Sequence, residues 1–439
     1  MYFIYSLLLA LAIALSAPWW LFAMWRHGKY RAGLRERLGR VPARIVQREA
    51  ASGKPAIWIH AVSVGEVLGV SGLVAELKKR FPSHRVVVST TTDTGQKLAG
   101  ERFGAENVFY VPVDFAFAIR PYLRALRPEL IVIAETEFWP NLLRCARNSG
   151  ARIAIVNARI SDRSLPRYRR FRFLLRRVLS RVDMFLAQSQ EDSKRLVAIG
   201  APAPRVRVCG NLKFDGDAPG SLEFVAQLKR RLTESNAFPI LVCGSTADGE
   251  EALLLEMFRE VLRKYPTALM ILAPRRPERF NEVAQLLAAS GFEYWRRSSL
   301  ASSTVLRGGI LLLDSIGELA AIYAVATVAF VGGSLAPRGG HNILEPAYFG
   351  LPIMVGSHME NFRDILAIFQ AQDAVRVVVE GELASAVLAL VADQPGRDAM
   401  GLRARATLRF HAGATSRTVE ALQSLAQSPA EILAGKATP

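Results

Sequence analysis

The chain has 439 residues, half of them hydrophobic, enough for two or three domains with cores of their own, and it carries no internal repeat or low-complexity segment. Its 56 Lys and Arg against 39 Asp and Glu leave +17, a balance suited to an anionic partner such as nucleic acid, phospholipid headgroups or a phosphorylated substrate. Cys145, Cys209 and Cys243 lie far apart and match no CxxC or zinc spacing, which excludes a zinc module and points to a reducing compartment.

Residues 1–25 hold no charged side chain, and about 20 apolar residues suffice to cross a bilayer as a helix. A membrane anchor is therefore expected, with a helix lying on the membrane surface as the alternative. Pro18, Trp19, Trp20 and Trp25 would sit toward one interface. Arg26, Lys29, Arg31, Arg35, Arg37 and Arg40 follow, opposed only by Glu36, so the positive-inside rule puts the remainder in the cytoplasm. A cleaved signal peptide would need a basic start, and residues 1–16 have none.

Apolar runs then alternate with amphipathic stretches. Strands are expected at 56–60, 85–89, 108–111, 130–134, 152–156, 184–187 and 206–208, with helices between them, for example over 64–80, 138–149 and 191–199. This order describes a mainly parallel sheet covered on both faces. Turn residues Gly216, Pro219 and Gly220 interrupt it, and it restarts with strands at 239–243, 268–272, 309–313, 327–331 and 352–355. The expected organisation is an anchor over 1–25, a doubly wound Rossmann-like domain over 26–210, a linker over 211–238 and a second such domain over 239–439 that includes C-terminal helices. Two α/β domains of this kind facing a cleft make a GT-B architecture, with ligands at the carboxyl ends of the strands.

The first strand ends at His60 and leads to Ser63-Val64-Gly65-Glu66, the spacing of a helix capping box. The same position suits a general base, because a first-turn carboxylate is favoured in its ionised form by the helix dipole. A second acid pair, Glu135 and Glu137 in ETEFWPNLL, follows the strand at 130–134 and either caps the next helix or turns inward beside Glu66. Lys213, in GNLKFD, would place a cation at the domain junction unless it is merely solvated. Asp215 and Asp217 form a DxD, but Gly216 and Pro219 mark a turn in which Asp bonds local backbone, and no two of the six histidines have metal spacing. From Arg159 to Arg181 nine arginines face one acid, Asp162, with Tyr168, Phe171, Leu174, Leu175 and Val178 at helical spacing. This suits an anionic membrane surface, and the neighbouring hydrophobic helix favours lipid over nucleic acid.

In the second domain Ser245 and Thr246 end a strand before a helix expected over 248–264, and Pro274-Arg275 end the next. Arg275 could meet a base or phosphate through its planar fork. Ile316-Gly317-Glu318 follow a further strand. The segment 325–362 combines an apolar strand, the glycines Gly332, Gly333, Gly339 and Gly340, and a new helix with Asn342 at its N-cap. Backbone N–H groups in such a loop, with the helix start, are expected to hold a phosphate. Glu345 either completes a capping box or accepts bonds from ribose hydroxyls, and His341 is the histidine expected nearest a ligand. No Lys-Ser/Thr pair follows the glycines, so this is not a P-loop.

Taken in order, HAVSVGE, ETEFWPNL, NARISDRS, GNLKFD, GST followed by GEE, PRRPERF, IGEL and GGSLAPRGGHNILEPAYFGLP with a later NF resemble the 3-deoxy-D-manno-octulosonic acid (Kdo) transferases of Gram-negative bacteria, over residues 57–362. The resemblance implies a GT-B enzyme that moves Kdo from CMP-Kdo to a lipid A precursor at the cytoplasmic face of the inner membrane, with inversion, and with neither metal nor cofactor. It implies Glu66 as general base in an acceptor-binding first domain, with Glu135 and Lys213 stabilising the transition state. For CMP-Kdo it implies Pro274, Arg275, Ile316, Gly317, Glu318 and the run Asn342, Ile343, Leu344 and Glu345, to which Ser245, Thr246, Gly340 and His341 are added as neighbours. Arg276 departs from the histidine expected there. A GT-B transferase using a UDP-sugar and a lipid acceptor is the alternative.

Overall fold

The computed structural model describes residues 1–27, 32–162, 164–216 and 223–427. The chain divides into two compact units, one comprising 1–216 and 411–439, the other 217–410.

The first unit is built on a seven-stranded sheet of β1 (Ala56–His60), β2 (Arg85–Thr90), β3 (Val108–Tyr110), β4 (Pro128–Ala134), β5 (Arg152–Ala158), β6 (Met184–Ala187) and β7 (Val206–Val208). Its strand order is β3-β2-β1-β4-β5-β6-β7, with every pairing parallel. Alternation along the strands explains why both faces need helices. Trp58, Ile131, Ile133, Ile153 and Ile155 enter one core, while Ile57, Ile59, Val86, Val88 and Val132 enter the other. The order reverses between β1 and β4, so the crevice at their carboxyl ends is where an open α/β sheet takes its ligand.

The second unit repeats the plan with β8 (Ile240–Thr246), β9 (Leu269–Pro274), β10 (Tyr294–Arg296), β11 (Gly309–Leu312), β12 (Val328–Val331), β13 (Ile353–Val355) and β14 (Arg376–Val377). They lie in the order β10-β11-β9-β8-β12-β13-β14, again all parallel, and the reversal falls between β8 and β12. Two doubly wound sheets match the expected fold class. The edge strands β10 and β14 are absent from the sequence reading because two or three half-exposed residues make no apolar run.

Two boundaries differ from expectation. Residues 211–238 are not a linker throughout: Leu212 and Phe214 are buried with the first unit, and the helix Glu223–Glu234 packs Val225, Leu228 and Leu232 on the second sheet. The second domain also stops short of 439. The helix Ala414–Gln427 returns to the first unit and buries Ala414, Val419, Leu422 and Leu425 against Leu73, Val74 and Leu77. Asp215, expected to bond its own turn, instead accepts hydrogen bonds from Gly413 N at 2.6 Å and from Thr415 N, fixing that return. Asp217, Pro219 and Gly220, like Lys29, Arg31 and Arg163, lie outside the described residues.

Candidate active site

At the β1/β4 switch point, Glu66 sits in the first turn of the helix Val64–Arg80. The capping box does not form as spaced. Ser63 makes no side-chain bond to the helix backbone. Its hydroxyl donates to Glu66 Oε1 at 3.2 Å, and the other carboxylate oxygen accepts from Val62 N at 2.8 Å. The carboxylate thus holds the strand-to-helix turn and faces a cavity lined by Glu135, Thr136, Glu137, Arg159, Ile160, Ser161, Ser164 and Tyr168. Burial pushes the Glu66 carboxyl up to about 7; the charges of Glu135 and Glu137 add to it, against the Val62 N–H and the Ser63 hydroxyl.

Glu135 leaves β4 with φ 55°, a left-handed conformation that costs a non-glycine residue of order 1 kcal/mol and aims its side chain into this cavity. Lys213 Nζ lies 3.5 Å from Glu135 Oε1 and Arg159 Nε 3.6 Å from Oε2. Lys213 is therefore not simply solvated. Its short 3-10 turn, Leu212–Asp215, is held by Asn211 Oδ1 accepting from Lys213 N at 3.0 Å and Asn157 Oδ1 accepting from Leu212 N at 3.0 Å. The side chain runs over Gly69, one helical turn beyond Glu66, where an added Cβ would lie 3.7 Å from Lys213 Cγ. Glu137 accepts from Trp139 Nε1 at 2.7 Å, and the Trp139 ring meets the buried His60 edge-on at 5.3 Å. Burial lowers His60 to about 4, so it is neutral near pH 7. Glu66 and Glu135 thus share one cavity, with Lys213 paired to Glu135. Arg159, Ser161, Ser164 and Tyr168 join them, and the arginine-rich composition of that stretch hid its contribution to a cavity.

At the β8/β12 switch point the glycine loop does not do what was expected of it. Gly333 N donates to Glu250 Oε2 at 2.7 Å, and Ser334 N and Leu335 N donate to Oε1, each at 2.8 Å. Ala336 N adds a bond at 3.3 Å and Ala247 N one at 2.8 Å, so the anion in this nest is the fully buried Glu250 carboxylate. Gly332 N donates to Gly244 O and Gly340 N to Gly333 O. These N–H groups are spent inside the protein. Gly332 is required for another reason: a Cβ there would lie 2.7 Å from both Glu250 Oε2 and the Thr246 Cα. Glu250 was missed because its helix starts at Glu250 rather than at 248, and all its partners but Ala247 are more than eighty residues away.

The helix after the loop, Leu344–Tyr348, has only five residues and its N-cap is Ile343 rather than Asn342. Asn342 still serves the turn, since its Oδ1 accepts from Leu344 N at 3.1 Å and its Nδ2 donates to Glu345 Oε1 at 3.3 Å. Ile343 and Leu344 are buried, and Leu344 N is already taken up by Asn342. Arg275 is exposed; its charge lowers His341, after burial, to about 4, and opposes the burial that raises Glu345. Arg275 N donates to Thr246 O at 3.0 Å. Arg275, His341, Asn342 and Glu345 therefore share one neighbourhood. Ser245 precedes it at φ 56°, and the Thr246 hydroxyl is taken up by Glu251 at 2.8 Å. Pro274 is buried behind Arg275. Farther along the sheet edge, Ile316 and Gly317 are exposed, whereas Glu318 accepts from Arg297 at 2.8 and 3.1 Å and from the Ser315 hydroxyl.

The 3-deoxy-D-manno-octulosonic-acid transferase (kdotransferase) family model matches residues 32–216. The chain is 34% identical over 401 residues to a 3-deoxy-D-manno-octulosonic acid transferase of Haemophilus influenzae, covering 90% of this chain and 92% of that protein. It is 36% identical over 420 residues to the enzyme of the same name from Bordetella pertussis, covering 92% and 95%. Among solved structures, UDP-GlcNAc 2-epimerase from Neisseria meningitidis superposes with a TM-score of 0.54 at 12% identity, over 84% of this chain and 100% of that one. MurG of Acinetobacter baumannii gives 0.52 at 14% identity, over 84% and 99%; both likenesses concern the fold alone. With GT-B sheets, acidic and basic side chains gathered at their switch points and close relatives along nearly its whole length, the chain belongs to the 3-deoxy-D-manno-octulosonic acid transferase family of glycosyltransferases.

Proposed function

We propose that the enzyme transfers Kdo from CMP-Kdo to a hydroxyl of a lipid A precursor by a single inverting displacement, with Glu66 as general base and without a metal ion. The observation that carries this reading is the Glu66 carboxyl, pushed up to about 7 at the edge of an open cavity beside two further acids. A base of that strength is well matched to taking a proton from a sugar hydroxyl near neutral pH. The acceptor oxygen attacks the anomeric carbon, its proton goes to Glu66, and the bond to the phosphate oxygen breaks with its electron pair leaving on CMP.

Lys213 and Arg159, both set against Glu135, place positive charge beside the reacting centre as negative charge develops. In the second unit Arg275, Asn342 and Glu345 supply a guanidinium for the single phosphate, an amide, and a carboxylate for ribose hydroxyls. His341, neutral near pH 7, offers them a hydrogen bond without a charge. This replaces the glycine-loop amides as the donor seat.

The apolar helix Tyr2–His27 attaches the enzyme to the cytoplasmic leaflet of the inner membrane. Exposed Arg167, Arg169, Arg170, Arg172, Arg176 and Arg177, with Phe171 and Phe173 between them, meet its anionic headgroups. Tyr168 of the same stretch lines the Glu66 cavity, so a lipid-borne acceptor has a short path to the base. The test is mass spectrometry of a lipid A precursor after incubation with CMP-Kdo or, separately, UDP-sugars. A mass gain of Kdo with CMP-Kdo alone, lost in Glu66→Gln while CMP-Kdo binding persists, is expected. Transfer from a UDP-sugar, or near-normal turnover of Glu66→Gln, would overturn it.

A further inference from the structure

We propose that the helix Tyr2–His27 does not cross the bilayer but lies along it, sunk into the phospholipid leaflet that faces the catalytic units, with both of its ends on their side. The inference rests on the membrane attachment just described and not on the identity of donor or acceptor.

The beginning of the helix is fastened to the first unit. Arg181 Nε donates to the Tyr2 hydroxyl at 2.6 Å, and the guanidinium carbons of Arg144 and Arg181 lie 4.7 and 5.2 Å from the Tyr2 ring centroid. Asn141 Nδ2 donates to the Ser6 hydroxyl at 3.0 Å, and the Tyr5 hydroxyl bonds Asp114. The far end is tethered to the same unit by the chain itself. Six residues, 28–33, separate it from the helix Leu34–Arg37, and they reach about 20 Å at most. That second helix is anchored by Glu36, which accepts from Tyr110 N at 2.9 Å and pairs with Arg44 at 2.8 Å.

Twenty-six residues of helix measure about 39 Å, and a hydrocarbon core about 30 Å, so a spanning helix would hold its first turn on the far side of the membrane. There Tyr2, Tyr5 and Ser6 could not meet Arg181, Asp114 and Asn141. The two ends of the helix are more exposed on one side than on the other, while residues 10–16, Ile13 among them, are exposed all round. Phe3, Ile4, Leu7, Leu8, Leu11, Leu15, Trp19 and Phe22 form an exposed apolar stripe. The less exposed Tyr2, Tyr5, Ser6, Leu9, Trp20 and Met24 fall on the opposite side at 100° per residue. An apolar stripe of this length fits acyl chains, and the exposed arginines between 167 and 177 of the same unit suit anionic headgroups.

The test is the side on which the N-terminus lies in native membranes. A protease-cleavable epitope added before Met1 should be removed by protease from inverted inner-membrane vesicles and protected in sealed spheroplasts; the reverse result overturns the proposal. Ser6→Cys with Asn141→Cys should form a disulfide on mild oxidation in intact vesicles, and no crosslink in an enzyme that remains folded and active overturns it too. Recovery of the protein in the soluble fraction would also sink it. Transfer to a detergent-dispersed acceptor is assayed separately, so such a failure would be distinct from failure of the catalytic reading.

Discussion

Glu66 is held against its own ionisation. Its carboxyl titrates near 7 in the folded protein against about 4.5 in an unfolded chain, so the native state keeps the proton longer. Stability therefore falls as pH rises from about 4.5 to 7, by up to about 3 kcal/mol once the group is ionised. Glu66→Gln should accordingly raise the melting temperature at pH 8 more than at pH 5, although it loses catalysis by roughly 100- to 10,000-fold. With Glu66 as the proposed base, the rate of the intact enzyme should fall below pH 7 as that carboxylate is protonated. Glu135→Gln, which removes a neighbouring negative charge, should shift that ascending limb to lower pH in a profile of kcat/KM. A limb that stays in place would mean that Glu135 does not sense Glu66. The acid itself was legible in HAVSVGE. Its proton affinity was not, because burial and the acids at 135 and 137 come together only in the folded sheet.

Among elements, the loop after β12 turns on what fills it. Glu250 accepts five backbone N–H bonds of 2.7 to 3.3 Å from this loop and from Ala247 just ahead of its own helix, with no exposure to solvent. Glu250→Gln turns one acceptor into a donor facing donors, and should cost about 3 kcal/mol in chemical denaturation. Gly332→Ala should cost about 1–3 kcal/mol, because its neighbours Thr246 Cα and Ser245 O are backbone and cannot rotate away. The glycines were readable as places needing close approach, yet the approaching group was taken for a ligand. Residue spacing reports neighbours on one helix or turn, and Glu250 comes from another element. The strands, by contrast, were legible almost to the residue wherever they form a buried apolar run, the edge strand β3 included. The half-exposed edges β10 and β14 carry no such mark.

For the whole molecule, the division into units was visible but its boundaries were not, because the returning C-terminal helix has the same amphipathic pattern wherever it docks. Without residues 411–427 the first unit loses the side chains that cover Leu73, Val74 and Leu77. A fragment ending at residue 216 should fail to give a cooperative thermal transition and should gain one when a 411–427 peptide is supplied; cooperative unfolding of the fragment alone would refute this. The positive charge acts at the same scale. Replacing Arg169, Arg170, Arg172 and Arg176 by Gln should weaken binding to anionic vesicles in a flotation assay, most clearly at low salt, and leave binding to neutral vesicles unchanged.

The return of the chain at His411 also sets an order of birth. A ribosome delivers the seven strands of the first sheet early, but the piece that closes them follows only after residues 217–410 have been made. At about 5–20 residues per second that is a wait of roughly 10–40 s. Through that interval the nascent chain carries an open greasy groove, while the later lobe, which is continuous in sequence, has everything it needs to fold first.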